Sequence, residues 1–357
     1  MNTKIGIVGA GQMGQVIAWS MDQLGYDLIV LDQDENSLYR CQKALSSKHK
    51  FIRNTSFNCL KDCGLVISSL PFHQNLSLAY FCIPKGITYC DLGGNIETSN
   101  TINHFGNHKA TNIVMTDLGL APGWVNLITE KMYQEYVSKH HKPPKNIQMM
   151  VGGLPQYPNN TLRYSCTWSY DGLVNEYRDR CMVLINGEQV IVNGMEGYKF
   201  PINTDIGPLE GFYTSGGAAH TIATMQERGI LNCSYKTLRY SQHHRIVNFL
   251  INESGLDDQS IIKIFKRTCP PQDDLVIIQV RVNDLDAESL LKQPCWFEKT
   301  IISDSRFSAM QKATGFPIAS VAHMVTSLDL HATVLKYDDI PYPQFNKWLT
   351  HLFKLAI

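Results

Sequence analysis

Residues 1–36 read MNTKIGIVGAGQMGQVIAWSMDQLGYDLIVLDQDEN, and this stretch decides the fold of the first domain. Lys4–Val8 is an apolar run rich in isoleucine and valine, which predicts a buried parallel strand. Gly9, Gly11 and Gly14 follow with the spacing G-x-G-x-x-G. In this context the first glycine allows a tight turn, the second admits a pyrophosphate close to the backbone, and the third lets a helix pack against the strand.

The residues after the glycines continue the pattern of a dinucleotide-binding unit. Residues 12–24 carry apolar side chains at helical spacing, and Gly25 ends this predicted helix. A second strand is expected over 27–31, and Asp32 follows it, 18 residues after Gly14. An acid at this place accepts hydrogen bonds from the adenosine ribose and repels a 2′-phosphate, so the sequence favours NAD over NADP as cofactor.

Strands and helices continue to alternate along the first third of the chain. Strands are expected over 65–70, 87–92 and 112–116, and a helix over 74–83. This alternation predicts an α/β fold with a Rossmann-type doubly wound parallel sheet, in which ligands bind beyond the carboxyl ends of the strands. An ordinary strand-to-helix turn is the alternative at each of those ends. The predicted cofactor contacts are Gly9, Ala10, Gly11, Gln12, Met13, Gly14, Asp32, Ser69, Leu70, Pro71, Phe72, Asn75, Asp91, Gly93 and Gly94.

The length and the change of pattern along the chain predict two domains. The chain has 357 residues, more than one hydrophobic core commonly serves. We expect an NAD(P)-binding Rossmann domain over 1–123, completed by a helical segment over 308–357. A second α+β domain over 124–307, with a mixed or antiparallel sheet, is expected to bind the substrate and to dimerise.

Local signals refine this division. Pro122 is expected in the first turn of a helix, and 140–144 is expected to form a linker. Asn186–Gly187 between two β-rich runs predicts a hairpin with a type I′ turn. In the C-terminal helical segment, Gly315 and Pro317 are expected to interrupt the helix.

The bulk composition excludes several classes of function. Lys+Arg and Asp+Glu number 32 each, so no general affinity for nucleic acid or an acidic membrane is expected. The absence of a cationic leader and of 18 consecutive apolar residues leads us to expect a cytoplasmic protein without membrane spans. The ten cysteines are scattered without a CxxC pair, which favours reduced thiols and no metal site.

Three islands in the second domain suggest a site for a small polar ligand. They are VGGLP at 151–155, GPLEGFYTSGG at 207–217 and YKTLRY at 235–240. Glycine-rich loops that mix Thr, Ser and aromatic residues allow close backbone approach to a ligand. Arg239 lies in an alternating strand and is a candidate anchor for a carboxylate, the alternative being a structural ion pair.

These islands, together with the entry motif, resemble the saccharopine dehydrogenase-like family. The motifs that carry the resemblance occur in order along nearly the whole chain: GAGQMG, SSLPFHQN, DLGG, TDLGLAPGWVN, VGGLPQYP, GPLEGFYTSGG and YKTLRY. Within that family the chain looks closest to the lysine 6-dehydrogenase branch. Saccharopine reductases typically carry Asp-Pro-Gly where this chain has Ala121-Pro122-Gly123, and lysine 6-dehydrogenases resemble it in carrying Ala-Pro-Gly.

The resemblance implies an NAD-dependent oxidation of a CH–NH2 group, with L-lysine as the preferred substrate. Hydride would leave C6, an imine would form, and water would release ammonia to give 2-aminoadipate 6-semialdehyde. The lysine amine has a pKa of about 10.4, so the site must desolvate it or supply a base. The candidate bases are His73, Asp117 and His220. The candidate substrate contacts are Arg239, Thr214, Thr237, Gly153, Tyr213 and Tyr235.

Two other functions remain open from the sequence. One is NAD(P)H-dependent reduction of an imine formed between an amino acid and an aldehyde. The other is a non-catalytic NAD-binding protein whose site has lost its chemistry. In all cases we expect a homodimer that contacts neither nucleic acid nor membrane.

Overall fold

The computed structural model describes residues 3–284, 295–327 and 333–356. It divides the chain into two compact units. Unit 1 comprises Met1–Trp124 and Gln311–Ile357, and unit 2 comprises Val125–Met310. Residues 328–332 of the predicted C-terminal helical segment lie outside the described residues.

Strands and helices alternate along unit 1, whereas strands dominate unit 2. In chain order the strands are β1 (Lys4–Val8), β2 (Asp27–Asp32), β3 (Lys50–Arg53), β4 (Leu65–Ser68), β5 (Thr88–Asp91), β6 (Val114–Met115), β7 (Asn146–Pro155), β8 (Arg180–Ile185), β9 (Glu188–Asn193), β10 (Lys199–Thr204), β11 (Gly207–Tyr213), β12 (Asn232–Arg239), β13 (Asp274–Asn283) and β14 (Cys295–Ile302). The helices are α1 (Gln12–Gln23), α2 (Glu35–Ala44), α3 (Phe72–Cys82), α4 (Ile96–Lys109), α5 (Trp124–His140), α6 (Tyr170–Arg178), α7 (Thr221–Glu227), α8 (His243–Asn248), α9 (Asp258–Thr268), α10 (Ala309–Val325) and α11 (Tyr342–Leu355).

Unit 1 is built on a six-stranded parallel sheet in the order β3-β2-β1-β4-β5-β6. The strand order reverses at β1, which pairs with β2 on one side and β4 on the other. This is the Rossmann-type doubly wound sheet that the sequence predicts. Its ligand crevice is expected where the carboxyl ends of β1 and β4 diverge, because the crossover helices leave in opposite directions there.

Helix α10 corrects one prediction, since it runs unbroken through Gly315 and Pro317. A Cβ atom on Gly315 would lie 2.4 Å from Cγ1 of Val16, so glycine lets α10 pack closely on α1. The rings of Trp19 and Phe316 lie 5.9 Å apart at the same contact. Packing of this buried helix therefore overrides the local cost of proline, which is roughly 3 kcal/mol in a helix interior.

The entry into α5 corrects a second prediction. The helix begins at Trp124 rather than in the turn of Pro122. Gly123 has φ +131, a conformation outside the helical region, and the Trp124 amide donates to the carbonyl of Gly119. At the other end His140, expected in a linker, is the last residue of α5.

Unit 2 is built on an eight-stranded mixed sheet, as predicted. Its main path is β10-β11-β12-β7-β13-β14, and β8 pairs with both β12 and β9. The β12–β7 pair is parallel, whereas the other pairs are antiparallel. The predicted hairpin joins β8 to β9, with φ +51 at Asn186 and +86 at Gly187 as a type I′ turn requires.

Two of the glycine-rich islands are strands rather than the loops that the sequence suggests. Residues 151–155 form the second half of β7, and Gly207–Tyr213 is β11. A Cβ atom on Gly152 would lie 3.0 Å from side-chain atoms of Ile277 and Leu238. This glycine therefore serves close packing over the middle of the sheet, a role that sequence alone cannot distinguish from a loop.

The two faces of the unit 2 sheet carry different cores. Thr237 of β12 pairs with Phe212 of β11, so both point to one face. On that face Phe212 packs with Tyr177 of α6 and Phe265 of α9. The opposite face carries a smaller cluster around Leu238. Alternation along β12 therefore places Tyr235, Thr237 and Arg239 beneath the helices.

Candidate functional site

The glycine loop of unit 1 has the shape that a pyrophosphate needs. A Cβ atom on Gly14 would lie 1.9 Å from the carbonyl oxygen of Gly9, so only glycine fits there. A Cβ atom on Gly11 would meet nothing within 4 Å, which leaves open space above the loop. Helix α1 begins at Gln12, and its first amide groups have no carbonyl partners within the helix. These residues fit the diphosphate of a dinucleotide, and the contacts predicted there, Ala10 and Met13 included, stay predictions.

Asp32 closes the carboxyl end of β2 and organises this loop. Its Oδ2 accepts a hydrogen bond from the Ala10 amide at 2.5 Å, and its Oδ1 accepts one from the Asp34 amide at 2.8 Å. The side chain remains partly exposed, so further lone pairs are available to ribose hydroxyls. This geometry fits the role predicted for it.

Arg53 is a cation near this acid that the sequence analysis missed. The parallel register of β2 and β3 pairs Asp32 with Arg53. The Arg53 side chain donates to the Gln33 carbonyl at 3.3 Å and forms an ion pair with Glu35 at 2.9 Å. An arginine beside the ribose site can accommodate a 2′-phosphate, so the choice between NAD and NADP involves Arg53 as well as Asp32.

The segment after β4 is placed at the start of α3. The Ser69 hydroxyl donates to the carbonyl of Gly9 at 2.8 Å and so ties this segment to the glycine loop. Asn75 is buried, and its amide oxygen accepts from the Ser68 hydroxyl at 2.7 Å, which gives it a structural contact. His73 is exposed in the first turn of α3. The remaining predicted contacts of this segment lie beside these residues: Leu70, Pro71 and Phe72.

Asp91, at the end of β5, is held by its own domain. Its Oδ2 accepts from the Tyr89 hydroxyl at 2.9 Å, and its Oδ1 accepts from the amides of Gly93 at 2.8 Å and Asp117 at 3.1 Å. Burial raises the pKa of the Asp91 carboxyl group. The backbone of Gly93 and Gly94 turns away with positive φ values.

Asp117 is equally enclosed. It has φ +64, and its carboxylate accepts from the hydroxyls of Ser99 at 2.8 Å and Thr116 at 3.1 Å. Its carbonyl accepts from the Tyr337 hydroxyl at 2.8 Å. Burial and the nearby charge of Asp91 raise the pKa of the Asp117 carboxyl group. We call Asp91 and Asp117 the acid pair, and the fold already uses both oxygens of each acid.

Arg239 of unit 2 is in the opposite situation. Its side chain is 3% exposed. Its Nε donates to the Tyr177 hydroxyl at 2.9 Å, one terminal nitrogen donates to the Leu238 carbonyl at 2.9 Å, and its guanidinium lies 4.6 Å from the ring centre of Tyr164. Within the described part of the chain it forms no ion pair. The protein thus buries a cation beside aromatic rings without a carboxylate partner.

A neutral histidine fixes the position of Tyr177. His243 is fully buried, and its Nδ1 donates to the Leu162 carbonyl at 2.8 Å. Its Nε2 therefore accepts from the Tyr177 hydroxyl at 3.0 Å, and that hydroxyl can accept from Arg239. Burial and the Arg239 charge lower the pKa of His243 to about 3, so the imidazole stays neutral.

Glu176 is a second residue that the sequence analysis missed. It lies in the last turn of α6, beside Tyr177, and its side chain is partly exposed. Desolvation raises the pKa of its carboxyl group to about 7, although the charge of Arg239 acts in the other direction. Among the described residues no group is within hydrogen-bond or ion-pair distance of this carboxylate.

The other predicted substrate contacts separate into two groups. Thr214 is buried, and its hydroxyl lacks a hydrogen-bond partner among the described residues. The Thr237 hydroxyl donates to the Val151 carbonyl at 3.3 Å. The ring of Tyr235 packs on Gly217, where an added Cβ atom would lie 2.4 Å from it. Thr237 and Tyr235 lie on the face of the unit 2 sheet that carries Arg239.

Tyr213 does not join them. It pairs with Lys236 on the opposite face, where the Lys236 ammonium lies 4.7 Å from the Tyr213 ring centre. Gly153 lies in β7 near the side chain of Met310, and His220 precedes α7, its carbonyl accepting from the Thr224 amide at 3.1 Å. We refer to Arg239, Tyr177, His243, Glu176 and Thr214 as the Arg239 cluster.

The remaining sequence signals add no further site. All ten cysteines are free thiols. The described residues contain no group of three or more His, Cys, Asp or Glu side chains arranged for a metal ion. No helix in the same residues combines the length and apolar character that crossing a bilayer requires.

Two protein-family models show which family this chain belongs to. The model described as the saccharopine dehydrogenase C-terminal domain matches residues 119–352, and the model described as the saccharopine dehydrogenase NADP binding domain matches residues 5–120. The chain belongs to the saccharopine dehydrogenase family. It is accordingly an NAD(P)-binding oxidoreductase of the saccharopine dehydrogenase type.

One solved structure supports the fold of this saccharopine dehydrogenase family member. Saccharopine dehydrogenase (L-Glu forming) from Saccharomyces cerevisiae is 15% identical, with a TM-score of 0.73 over 99% of this chain and 98% of the yeast chain. A myo-inositol dehydrogenase from Corynebacterium glutamicum is 11% identical, with a TM-score of 0.42 over 99% and 94% of the two chains. The first match supports the shared fold, whereas the second is too distant to support any argument.

Family membership supports a nicotinamide dinucleotide as cofactor without distinguishing NAD from NADP. The matching family model is named for NADP, whereas NAD is the prediction from Asp32, and the choice between the two stays a prediction. Arg53 is the nearby cation that a 2′-phosphate would need, and its charge is partly compensated by Glu35.

Proposed function

We propose that this protein oxidises the C6 amine of L-lysine with NAD and releases ammonia and 2-aminoadipate 6-semialdehyde. The observation that carries the proposal is the buried Arg239 guanidinium, which has no carboxylate within ion-pair distance among the described residues. A buried charge of this kind costs several kcal/mol unless a counter-ion meets it. The α-carboxylate of an amino acid is a planar anion that matches the guanidinium fork.

The surroundings of Arg239 support a positioning role for its neighbours. Tyr177 accepts from Nε and is itself held by His243, so the guanidinium cannot rotate freely. Because His243 remains neutral, it adds no second positive charge that would have to be compensated. The remaining terminal nitrogen of Arg239 is the group we assign to the substrate carboxylate.

The choice of lysine rests on Ala121. Saccharopine reductases typically carry an aspartate at this place, in the element that reads Ala121-Pro122-Gly123 in this chain. Alanine supplies no carboxylate for a second amino-acid head, which favours a substrate with one α-amino-acid head and a terminal amine. L-lysine is an amino acid of this kind and is the substrate that the resemblance implies.

The chemistry also needs a neutral terminal amine. A bound nicotinamide would accept the hydride from C6. The protein must desolvate the amine or remove its proton, because the free amine has a pKa of about 10.4. His73 and His220 remain candidates for the proton acceptor, since neither side chain is fully buried. We assign Asp117 to positioning instead, because its oxygens already accept hydrogen bonds from two hydroxyl groups.

A substrate screen tests the proposal. Purified protein is mixed with NAD or NADP at alkaline pH, and reduced cofactor is followed with L-lysine, ornithine, saccharopine, cadaverine and putrescine. We expect lysine-dependent NADH formation that exceeds that of the diamines. Oxidation of saccharopine alone would contradict the assignment based on Ala121.

The second candidate is NAD(P)H-dependent reduction of an imine formed between an amino acid and an aldehyde. The saccharopine dehydrogenase character of both matching family models favours this function over an unrelated dehydrogenase. It requires two carbon substrates together, so consumption of NADH only when an amino acid and an aldehyde are both present would identify it. The Arg239 cluster would then bind the amino-acid partner.

We also propose that the protein is a cytoplasmic homodimer. Strand β14 is an edge strand of the unit 2 sheet, and Trp296 and Ile302 on it are about half exposed, at 48% and 54%. Edge strands with exposed apolar side chains commonly pair with another chain. Analytical ultracentrifugation of the wild-type protein and of Trp296→Lys tests this, with dimer dissociation expected in the variant.

A further inference from the structure

Three groups of the Arg239 cluster have hydrogen-bonding or charge capacity that the protein does not satisfy. Arg239 is buried with no carboxylate within ion-pair distance, Glu176 is partly exposed with no cation within that distance, and the Thr214 hydroxyl is buried without a hydrogen-bond partner. Each statement holds for the described residues. A buried hydroxyl without a partner is rare in folded proteins, and its occurrence beside an unpaired cation and an unpaired acid points to a ligand.

The backbone brings the three groups to one place in unit 2. Thr214 directly follows the last residue of β11, two positions after Phe212, which lies on the face that also carries Arg239. The next residue, Ser215, donates its amide to the Glu176 carbonyl at 3.0 Å. Glu176 is followed by Tyr177, whose hydroxyl accepts from Arg239.

We propose, building on the proposed function, that Glu176 binds the α-ammonium group of the substrate and makes the protein selective for amino acids whose α-amine is free. The α-carboxylate would meet Arg239, and the Thr214 hydroxyl would hydrogen-bond the same zwitterionic head. The substrate class is then an L-α-amino acid with a primary terminal amine. Simple amines and ω-amino acids without an α-amine would be poor substrates.

The placement of Arg239 and Glu176 suits this assignment. Glu176 precedes Tyr177, which holds Arg239, and its carbonyl accepts from the Ser215 amide next to Thr214, yet no ion pair joins Arg239 to Glu176. An ion pair between them would leave neither charge for a ligand, whereas this arrangement leaves both available. The two charged groups of an amino-acid zwitterion are attached to the same α-carbon and can meet both residues at once.

A role for Glu176 as the base for the terminal amine fits less well. In lysine the terminal amine is separated from the α-carbon by four methylene groups, whereas the α-ammonium is attached to it directly. Because the Glu176 carbonyl is bonded to the Ser215 amide beside Thr214, we place Glu176 at the carboxylate end of the substrate. An acid at this end selects the substrate head and does not reach the carbon that loses hydride.

The experiment compares ligands that differ only in the α-amine. Isothermal titration calorimetry with the NADH-bound protein measures binding of L-norleucine, which keeps the amino-acid head but cannot be oxidised at C6, and of hexanoate, which lacks the α-amine. Activity assays compare L-lysine with 6-aminohexanoate in the same way. The variants are Glu176→Gln, the charge-retaining Glu176→Asp, and Asp171→Asn as a control acid exposed on the same helix.

We expect Glu176→Gln to weaken L-norleucine binding about 10-fold or more and to leave hexanoate binding within about 2-fold. The KM for L-lysine should rise by a similar factor, while Glu176→Asp recovers part of the loss and Asp171→Asn changes nothing. The inference would be overturned if Glu176→Gln weakened the binding of both ligands equally. It would also be overturned if the wild-type protein bound hexanoate and L-norleucine with equal affinity.

The design separates this inference from the proposed function. Selective binding of L-norleucine without oxidation of any amine would reject lysine oxidation and keep the role of Glu176. Oxidation of L-lysine that is insensitive to Glu176→Gln would keep the proposed function and reject the role of Glu176.

Discussion

The acid pair of unit 1 and the Arg239 cluster of unit 2 are both buried and charged, but they differ in what their partners are. Asp91 and Asp117 together accept hydrogen bonds from three hydroxyls and two backbone amides of their own unit. Arg239 and Glu176 form no ion pair with any described residue. The first arrangement is complete as folded, whereas in our proposal a ligand completes the second.

This difference separates a structural acid from a binding group more reliably than position in the sheet does. Asp91 and Asp117 lie just after strands, where cofactor or catalytic residues are expected in this fold. Their oxygens nevertheless serve to fix the turn around Gly93, where an added Cβ atom would lie 2.1 Å from Asp117 Oδ1. Arg239 lies within a strand, yet no carboxylate in the described part of the protein forms an ion pair with its guanidinium.

The largest expected effect comes from Arg239→Ala. Loss of the only cation assigned to the substrate carboxylate should lower kcat/KM for L-lysine about 100-fold or more, mainly through KM. The affinity for NAD, measured by fluorescence titration, should not change. Arg239→Lys should recover part of the loss, since it keeps the charge without the planar fork. Full activity in Arg239→Ala would show that the unbalanced charge has no role in binding.

Tyr177→Phe tests whether the cluster positions Arg239. The variant removes the hydroxyl that accepts from Arg239 and donates to His243. We expect kcat/KM for L-lysine to fall about 10-fold, through KM rather than kcat. Tyr170→Phe is the control, because it removes a hydroxyl at the start of the same helix that bonds the Cys269 carbonyl instead. Equal effects of the two variants would reduce the role of Tyr177 to general stability.

Asp32→Asn tests how Asp32, a partly exposed acid of unit 1, affects the choice between NAD and NADP. Removing its charge should lower the preference for NAD over NADP about 5-fold, because repulsion of the 2′-phosphate is lost while the neighbouring Arg53 remains. The ratio of kcat/KM for the two cofactors measures this. Asp62→Asn, at an exposed position of the same unit, should leave the ratio unchanged. An unchanged ratio in Asp32→Asn would place the choice of cofactor elsewhere.

Asp117→Asn should have the smallest effect on activity, within about 3-fold in kcat/KM, because the acid is structural and asparagine tolerates its positive φ. Its effect on stability depends on pH. Since burial raises the pKa of the acid pair, the folded protein retains protons that the unfolded chain releases above about pH 4, so stability falls as pH rises.

In Asp117→Asn this fall should be shallower, as measured by urea denaturation between about pH 4 and pH 8. A catalytic base would behave differently, because its removal slows the chemical step by roughly two to four orders of magnitude and leaves substrate binding intact. Such a loss in Asp117→Asn, with KM unchanged, would identify Asp117 as the base. That result would also break the distinction between satisfied and unsatisfied buried groups.

Sequence reasoning succeeded where local pattern determines structure. The glycine spacing after β1 and the alternation of elements predict the parallel sheet, because both follow from the period of strands and helices. The hairpin at Asn186–Gly187 and the position of Arg239 in an alternating strand are predicted for the same reason. Each of these depends on residues that are neighbours in the chain.

Other features depended on residues brought together from distant parts of the chain. Tyr177 and His243 are 66 positions apart, and Asp91 and Asp117 are 26 apart, yet each pair shares a hydrogen bond. No periodicity marks Glu176 as part of the Arg239 cluster, because its relevance arises only when α6 packs over β12. Pro317 shows the same limit, since packing on α1 keeps a helix that local propensity would end.

By itself, the sequence determined the fold class, the glycine loop, Asp32 at its place after β2, and Arg239 as a cation on a strand. Only the tertiary structure decided which charged groups are already satisfied and which are left for a ligand. The physical reason is that hydrogen bonding and desolvation depend on three-dimensional neighbours, whereas strand and helix patterns depend on residues close in the chain.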